Sequence, residues 1–280
     1  MRYKFFFAAV FLSVSIISCV KQNADKSEDI KIFALSPSLA ETVFFLGKGG
    51  YLKGVSSSCE FPEGVKSIPA VANVSDINLE MTLRINPDIV FIMPSQTHIG
   101  LQLDKLNINS VTVSQESLDD ILQSFRIVGS HTGASERANA VYDSLRFVLK
   151  SYESAPSGKT VLISAGREFG SSVSYIYSVG TSGFLNDIFN LLGYENALNT
   201  SIPYPKIGAE SIMTLNPDII VDLVPGSVFQ DESDFLKDWS AYSGIKAHRN
   251  NKIYIFKGDH TTIPGPRIFD FLKELKENGF

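Results

Sequence analysis

Two stretches of the chain carry the same pattern about 130 residues apart. Residues Glu80–Val90 have the sequence EMTLRINPDIV, and residues Glu210–Val221 have the sequence ESIMTLNPDIIV. In both, a glutamate lies six residues before Asn-Pro-Asp, and an apolar run follows at once. An acidic residue suits the positive end of a helix, and the residue before a proline avoids helical angles. Each stretch therefore predicts a short helix that stops before the proline, followed by a buried strand.

An earlier element repeats more loosely. Thr42–Gly47 is similar to Asp187–Gly193, because each is an apolar helical stretch that ends in a glycine. Such a glycine can take the left-handed conformation that closes a helix. Each half of the chain thus has an early helix, a glycine stop and the Glu–Asn-Pro-Asp unit, which predicts two similar lobes.

The segment between the repeats predicts one long helix. From Ser135, which can cap it, to about Tyr152, apolar side chains recur on one helical face: Ala138, Val141, Leu145, Val148 and Leu149. Ala155–Gly158 ends this helix, and an apolar strand, Thr160–Ser164, follows. A single stiff helix between the lobes should permit only small lobe movements.

These patterns together predict an α/β fold with two Rossmann-like lobes joined by one long connecting helix. We place an N-terminal lobe at residues 30–130, the connecting helix within residues 131–157, and a C-terminal lobe at residues 158–280. Alternating strands and helices indicate mostly parallel sheets. A cleft between two such lobes is a preferred place for a small ligand.

The N-terminus predicts export. Arg2 and Lys4 precede the apolar run Phe5–Ile17, which is shorter than the about 20 residues that a membrane-spanning helix needs. Residues 1–18 therefore predict a signal peptide. The run ends before Cys19, as in a bacterial lipoprotein processing site, so we expect lipidation of Cys19; an ordinary signal peptide with an incidental cysteine is the alternative. Residues 19–29 are polar and predict a flexible tether.

The charge balance argues against a nucleic-acid-binding protein, and the cysteine content argues against an internal disulfide. The chain has 25 basic and 30 acidic residues, and loss of Arg2 and Lys4 with the signal peptide leaves 23 against 30. Such a mildly acidic chain has no footprint for nucleic acid. Cys59 is the one cysteine besides Cys19, so we expect no internal disulfide. A small buried core residue is the favoured role of Cys59, with a thiol near the ligand as the alternative.

The sequence does not indicate catalytic chemistry. It contains no phosphate-binding loop, no Gly-x-Ser-x-Gly turn and no His-Glu-x-x-His motif. Ser36, Ser38 and Glu41 could form a catalytic group, but capping of the helix Leu39–Leu46 explains them more simply. We therefore predict no catalytic residue and no enzyme.

A bare metal site is also not indicated by the sequence. The four histidines lie far apart along the chain: His98, His131, His248 and His260. A zinc or manganese site usually needs several histidine or carboxylate ligands, which could still converge in space. We predict no metal ligands and keep a bare divalent-metal site as an alternative.

Several stretches, in this order and at these spacings, resemble the helical-backbone, or class III, substrate-binding proteins of ABC importers. Those in the N-terminal half are Leu35–Glu41, Gly54–Pro62 and Asn78–Asp88. Those in the C-terminal half are Gly193–Asn196, Ile202–Pro205, Glu210–Asp218 and Gly265–Arg267. The family serves importers of vitamin B12, iron–siderophores and haem. The Cys-Glu-Phe-Pro turn and the Pro-Tyr-Pro segment are most similar to the B12-binding members.

The resemblance implies that Glu80 and Glu210 dock onto arginines of the permease. One exposed acid per lobe allows a two-point electrostatic contact that sets register. A helix-start acid that satisfies backbone N–H groups explains each glutamate singly, but it does not explain their equivalent places in the repeat.

The resemblance also implies ligand contacts, although core packing is an alternative for each aromatic residue. We expect the ligand to contact Phe61, Tyr204, Asp259 and His260, with Arg267 or Tyr175 suited to an anionic siderophore. Flat aromatic faces suit a large ring system. The one tryptophan is Trp239, and Tyr204 and His260 stand where B12-binding relatives have indoles, so the sequence leaves corrinoid, siderophore and haem open.

The leading hypothesis is a monomeric substrate-binding lipoprotein that passes a metal chelate to an ABC permease and its ATPase. We expect no cofactor of its own, although the ligand can itself contain cobalt or iron, and no nucleic-acid partner. The alternatives are a binding protein for bare zinc or manganese, a secreted hydrolase, and an adhesion or sensory module that kept the lobes and lost transport.

Overall fold

The first half of the chain alternates strands and helices around one parallel sheet. The computed structural model describes residues 30–280, and the predicted signal peptide, tether and Cys19 lie outside this range. The strands are β1 (Ile32–Ala34), β2 (Leu52–Ser56), β3 (Ala70–Ala72), β4 (Ile89–Ile92) and β5 (Ser110–Thr112). The helices are α1 (Pro37–Phe45), α2 (Leu79–Ile85), α3 (Thr97–Asp104) and α4 (Leu118–His131). The strand order β3-β2-β1-β4-β5 places β1 at the centre, with parallel pairing between neighbours.

The long helix α5 (Ser135–Tyr152) follows α4 and leads to the second half of the chain. Its bounds are those predicted from the apolar pattern, but Ala134 takes the cap position, and Ser135, the predicted cap, is the first helical residue. Helix α5 packs closely on α4, since a Cβ added to Gly129 would lie 2.3 Å from the Cβ of Ala138. Glycine is therefore required where the two helices approach each other.

The second half of the chain contains a mixed sheet. Its strands are β6 (Thr160–Gly166), β7 (Tyr175–Ser178), β8 (Glu195–Asn196), β9 (Lys206–Gly208), β10 (Ile219–Val224) and β11 (Ile253–Lys257). Its helices are α6 (Phe184–Leu191), α7 (Ala209–Leu215), α8 (Glu232–Asp238), α9 (Lys246–Arg249) and α10 (Ile268–Glu277). The order is β11-β10-β6-β7-β9. Strands β6, β10 and β11 pair in parallel, whereas β7 is antiparallel to β6 and to β9.

The repeated unit forms the same structure in both halves. Helices α2 and α7 have seven residues each and end at asparagines in the left-handed conformation, Asn86 with φ of 53° and Asn216 with φ of 44°. Asparagine tolerates this conformation better than most residues do. The following strands, β4 and β10, are buried along their whole length. The predicted succession of helix, stop and buried strand is confirmed in both copies.

The aspartate of each Asn-Pro-Asp triplet ties down the start of a neighbouring strand. Asp88 Oδ2 accepts a hydrogen bond of 2.7 Å from the backbone N–H of Lys31, directly before β1. Asp218 Oδ2 accepts bonds of 3.0 Å from both the N–H and the hydroxyl of Thr160, the first residue of β6. The aspartate therefore has the same structural task in both halves, which explains why it recurs in the repeat.

One hydrophobic core is shared by the two halves. It includes Ile32 of β1, Ala138 of α5, Ile163 of β6 and Phe271 of α10. Two further cores cover the opposite faces of the two sheets, each formed within one half of the chain. One face of each sheet is thus turned toward the other half of the molecule. Within residues 30–280, none of the helices combines the length and apolar character needed to cross a bilayer.

Replacement of Asp218 tests the role of the repeated aspartate. Asp218→Asn should lower the free energy of unfolding at pH 7 by about 1 kcal/mol, because the neutral amide accepts the Thr160 hydrogen bonds less strongly. The Thr160 amide, aided by Lys246, lowers the pKa of the Asp218 carboxyl. The stability that this carboxylate contributes is therefore present above its unfolded-state pKa and is lost as the pH falls through the lower folded-state pKa.

Urea unfolding at pH 7 and at about pH 3 measures this effect. The difference between the wild-type protein and Asp218→Asn should shrink at the acidic pH. Asp143→Asn, on the exposed side of α5, is the matched control and should change little at either pH. An equal loss at both pH values would contradict the electrostatic origin.

Candidate functional site

The two halves meet near the carboxyl ends of their parallel strands. Helix α1, which follows β1, approaches Gly265, where an added Cβ would lie 3.4 Å from the Cα of Ser38. The segment after β5 approaches α6, and the backbone N–H of Leu118 donates a bond of 3.0 Å to Asp187 Oδ2. Burial raises the pKa of the Asp187 carboxyl despite this hydrogen bond. In α/β sheets, ligands bind outside the carboxyl ends of the strands, so these contacts mark the floor of the candidate cleft.

A buried ion pair joins the two halves at this floor. Arg267 Nε lies 2.9 Å from Glu41 Oε2, and Arg267 Nη2 lies 2.6 Å from Glu41 Oε1. The Glu41 side chain is 2% exposed and that of Arg267 is 19% exposed. Burial raises the pKa of the Glu41 carboxyl, and Arg267 opposes this rise. We expected Glu41 to help cap α1. Its carboxylate instead supplies the counter-charge of Arg267, 226 positions away in the chain.

Phe61 lies on this ion pair. The guanidinium carbon of Arg267 is 4.3 Å from the centroid of the Phe61 ring, within the range of a cation–π contact. The peptide bond between Phe61 and Pro62 is cis, and the Phe61 side chain remains 47% exposed. The ring and Arg267 line a mostly apolar pocket of about 470 Å³ between α1, α5 and the start of α10. The structure thus brings together two of the predicted ligand-binding residues.

Two other predicted ligand-binding residues lie at the edge of the second sheet. Tyr175 in β7 is 3.6 Å, measured at its ring centroid, from Lys206 Nζ, and it contacts the Tyr177 ring edge-on at 5.9 Å. Tyr204 lies two residues before the start of β9 and is 47% exposed. Tyr175 and Tyr204 therefore lie in the second half of the chain, whereas Phe61 lies in the first.

Asp259 and His260 follow β11 and bind neighbouring parts of the C-terminal half. Asp259 Oδ1 accepts a bond of 3.1 Å from the backbone N–H of Gly226, which joins the loops after β10 and β11. His260 Nε2 lies 3.0 Å from Glu274 Oε2, and its ring contacts Phe271 edge-on. His260 would have to leave Glu274 before this nitrogen could contact a metal centre.

Glu80 and Glu210 occupy equivalent exposed positions in the first turns of α2 and α7. Asn78 caps α2 through a bond of 2.9 Å from the Met81 N–H, so the helix end does not depend on Glu80. Helix capping therefore accounts for neither carboxylate: within residues 30–280, neither accepts a hydrogen bond from its own helix.

Sequence reasoning missed a buried charge cluster in the C-terminal half. Arg167 Nε lies 2.8 Å from Asp222 Oδ2, and Arg167 Nη1 lies 2.8 Å from Asp238 Oδ2. Asp222 Oδ2 also accepts a bond of 3.0 Å from Trp239 Nε1. The sequence did contain an indication of this cluster, because Asp222 lies inside the apolar run of β10 and a buried carboxylate requires partners. The cluster fastens α8 to the second sheet.

The remaining candidate residues have structural roles in this arrangement. Ser36 Oγ accepts a bond of 3.3 Å from the Leu39 N–H, which confirms its role as the cap of α1. Burial raises the pKa of the Cys59 thiol to about 11, and the side chain packs in the shared core. Among residues 30–280, no three His, Cys, Asp or Glu side chains lie close enough together to hold a metal ion.

Removal of one partner tests the inter-lobe ion pair. Arg267→Met should lower the free energy of unfolding by about 3 kcal/mol at pH 7, because Glu41 stays buried without a counter-charge. The loss should shrink as the pH falls, since protonation of the Glu41 carboxyl removes the uncompensated charge. Urea unfolding measures both values, with the exposed Arg146→Met of α5 as the matched control. Equal effects of the two substitutions would contradict this role of Arg267.

Comparisons with known proteins agree with this architecture. Residues 32–259 match the periplasmic binding protein family. The chain is 28% identical over 263 residues to an uncharacterized ABC transporter substrate-binding lipoprotein, YvrC, of Bacillus subtilis (strain 168), covering 90% of this chain and 81% of that protein. It is 23% identical over 252 residues to a vitamin B12-binding protein of Vibrio parahaemolyticus, covering 89% and 88%.

Among solved structures, a possible iron-binding (periplasmic solute-binding) protein of Staphylococcus epidermidis ATCC 12228 is similar with a TM-score of 0.70. It is 25% identical in sequence, and the superposition covers 89% of this chain and 97% of that one. The predicted two-lobed α/β fold is confirmed by these similarities and by the two sheets described above. The chain therefore belongs to the periplasmic binding protein family, whose members bind solutes and are not enzymes.

Proposed function

We propose that the chain is the substrate-binding lipoprotein of an ABC importer that captures a metal chelate between its lobes. The ligand is a cobalamin-like corrinoid, an iron–siderophore or haem. The observation that carries this proposal is a half-exposed aromatic side chain on each lobe, Phe61 and Tyr204, each 47% exposed. Such rings suit a large, partly apolar ring system, and binding sites are concave and mostly apolar.

The relatives support this ligand class and the anchor. One relative is a substrate-binding lipoprotein, another binds vitamin B12, and the similar solved structure is a possible iron-binding protein. In this proposal, residues 1–18 are removed on export, Cys19 carries the lipid, and residues 19–29 tether the lobes outside the cytoplasmic membrane. The lobes span residues 30–130 and 158–280. The protein acts as a monomer with a permease and an ATPase.

Bare zinc or manganese fits the described residues less well. A site of that kind needs three or four converging histidine or carboxylate ligands. His98 Nε2 lies 2.8 Å from the Ser75 carbonyl, and His260 is held by Glu274. His98 and His260 thus contact separate partners and do not converge on one metal site. This supports a ligand that already contains its metal.

A titration tests the ligand class. We expect saturable one-to-one binding of cyanocobalamin, haemin or a ferric siderophore to the chain without its signal peptide and Cys19, measured by calorimetry and intrinsic fluorescence. Phe61→Ala should weaken that binding about tenfold through loss of an aromatic contact, and Phe147→Ala, an exposed phenylalanine of α5, is the matched control. A response to zinc or manganese, with none to any chelate, would support the bare-metal alternative instead.

Charge reversal tests the docking of the permease. Glu80→Arg with Glu210→Arg should leave ligand affinity unchanged and should lower uptake about tenfold or more in cells, because both electrostatic contacts become repulsive. Glu136→Arg, in the first turn of α5, is the matched control. Unchanged uptake by the double variant would contradict docking, and it would favour an adhesion or sensory module if wild-type cells also fail to import the ligand.

A further inference from the structure

Three side chains of β7 and β9 lie on one face of the sheet edge. The two strands are antiparallel, and Tyr177 is paired with Lys206. Directly paired residues of antiparallel strands project on the same face, and so do residues two apart on one strand. Tyr175 therefore shares this face, as the contacts of its ring with Tyr177 and with Lys206 Nζ confirm.

Tyr204 joins the same face because the pairing continues beyond β9. The Ser178 N–H donates a bond of 2.9 Å to the Pro205 carbonyl, and the Gly180 N–H donates one of 2.9 Å to the Pro203 carbonyl. This register places Tyr204 opposite Val179, two positions from Lys206. We call Tyr175, Tyr177, Tyr204 and Lys206 the tyrosine–lysine face.

The tyrosine–lysine face is turned toward the other lobe. Val179, directly after β7, is the next residue on this face, and it is buried in the core that both halves of the chain share. Val161 and Ile163 of β6 belong to the same core. Beyond this buried part, Tyr177 is 45% exposed and Tyr204 is 47% exposed. The face thus extends from the shared core to the solvent on the side of the candidate cleft.

The polar groups of this face have free bonding capacity. Lys206 is exposed, and within residues 30–280 no carboxylate oxygen lies within 4 Å of its Nζ. In the same part of the chain, none of the three tyrosine hydroxyls has a hydrogen-bond partner. By contrast, Arg267 is compensated by Glu41, and Arg167 by two aspartates. Lys206 therefore offers a positive charge that no acidic group of the described residues neutralises.

We propose that the tyrosine–lysine face binds a metal chelate that carries at least one negative charge on its edge. This inference rests on the proposed function and narrows its ligand class to anionic chelates. The tyrosine rings supply flat apolar contacts, and the Lys206 ammonium pairs with a carboxylate or similar anion. The phenol hydroxyls can donate to the same group.

Matched neutral and anionic chelates test the inference. The mature lipoprotein, purified in detergent, is titrated with cyanocobalamin and its monocarboxylic acid, and with haemin and haemin dimethyl ester. In the series that binds, the anionic member should bind about tenfold more tightly, as expected for a hydrogen bond to a charged group. Lys206→Gln should abolish that preference, and Lys206→Arg should keep it. Lys105→Gln, an exposed lysine after α3, is the matched control.

The outcomes separate this inference from the proposed function. Binding of a chelate with no preference for the anionic member, unchanged in Lys206→Gln, would overturn the inference and leave the proposed function in place. Failure of both series and of the ferric siderophores in the titration above to bind would overturn both. Thermal unfolding of each variant shows whether it is folded, and the preference between the two members of a series is independent of the fraction of active protein.

Discussion

The buried pair of Glu41 and Arg267 is the contact on which the arrangement of the lobes depends. A carboxylate that is 2% exposed is costly to keep charged without a partner, and its partner comes from the opposite end of the chain. The pair therefore ties α1 of the first lobe to the start of α10 in the second. Phe61 rests on the same guanidinium, so the position of a predicted ligand contact follows from the packing of the lobes.

The two lobes are built by the same local unit and differ at their edges. The aspartates of both Asn-Pro-Asp triplets fasten the start of a neighbouring strand, and both triplets are preceded by a left-handed asparagine. The first sheet continues in parallel to its ends, whereas the second gains the antiparallel pair β7 and β9. That pair carries the tyrosine–lysine face. The part of the second sheet that differs from the first thus carries the residues that we propose select the ligand.

The charged residues of the two lobes fall into two groups with different consequences. Arg167 and Arg267 are both neutralised by buried carboxylates and contribute mainly to packing. Glu80, Glu210 and Lys206 are exposed, and they can serve outside partners at little cost in stability. The stability of the lobes thus depends on buried pairs. In the function we propose, permease and ligand are recognised by charges on the surface.

The sequence by itself determined the repeat, the bounds of α5 and the glycine stops, because helix periodicity, capping and strand burial depend on residues close together in the chain. The family was indicated by the resemblance of several motifs, in their order and spacing, to the class III substrate-binding proteins. Only the tertiary structure decided the partners of the charged residues. Arg267 and His260 are both predicted ligand contacts, and the structure pairs Arg267 with Glu41 and His260 with Glu274. These partners lie on separate elements of the fold and come into contact only when those elements pack together. A local sequence pattern therefore does not predict them.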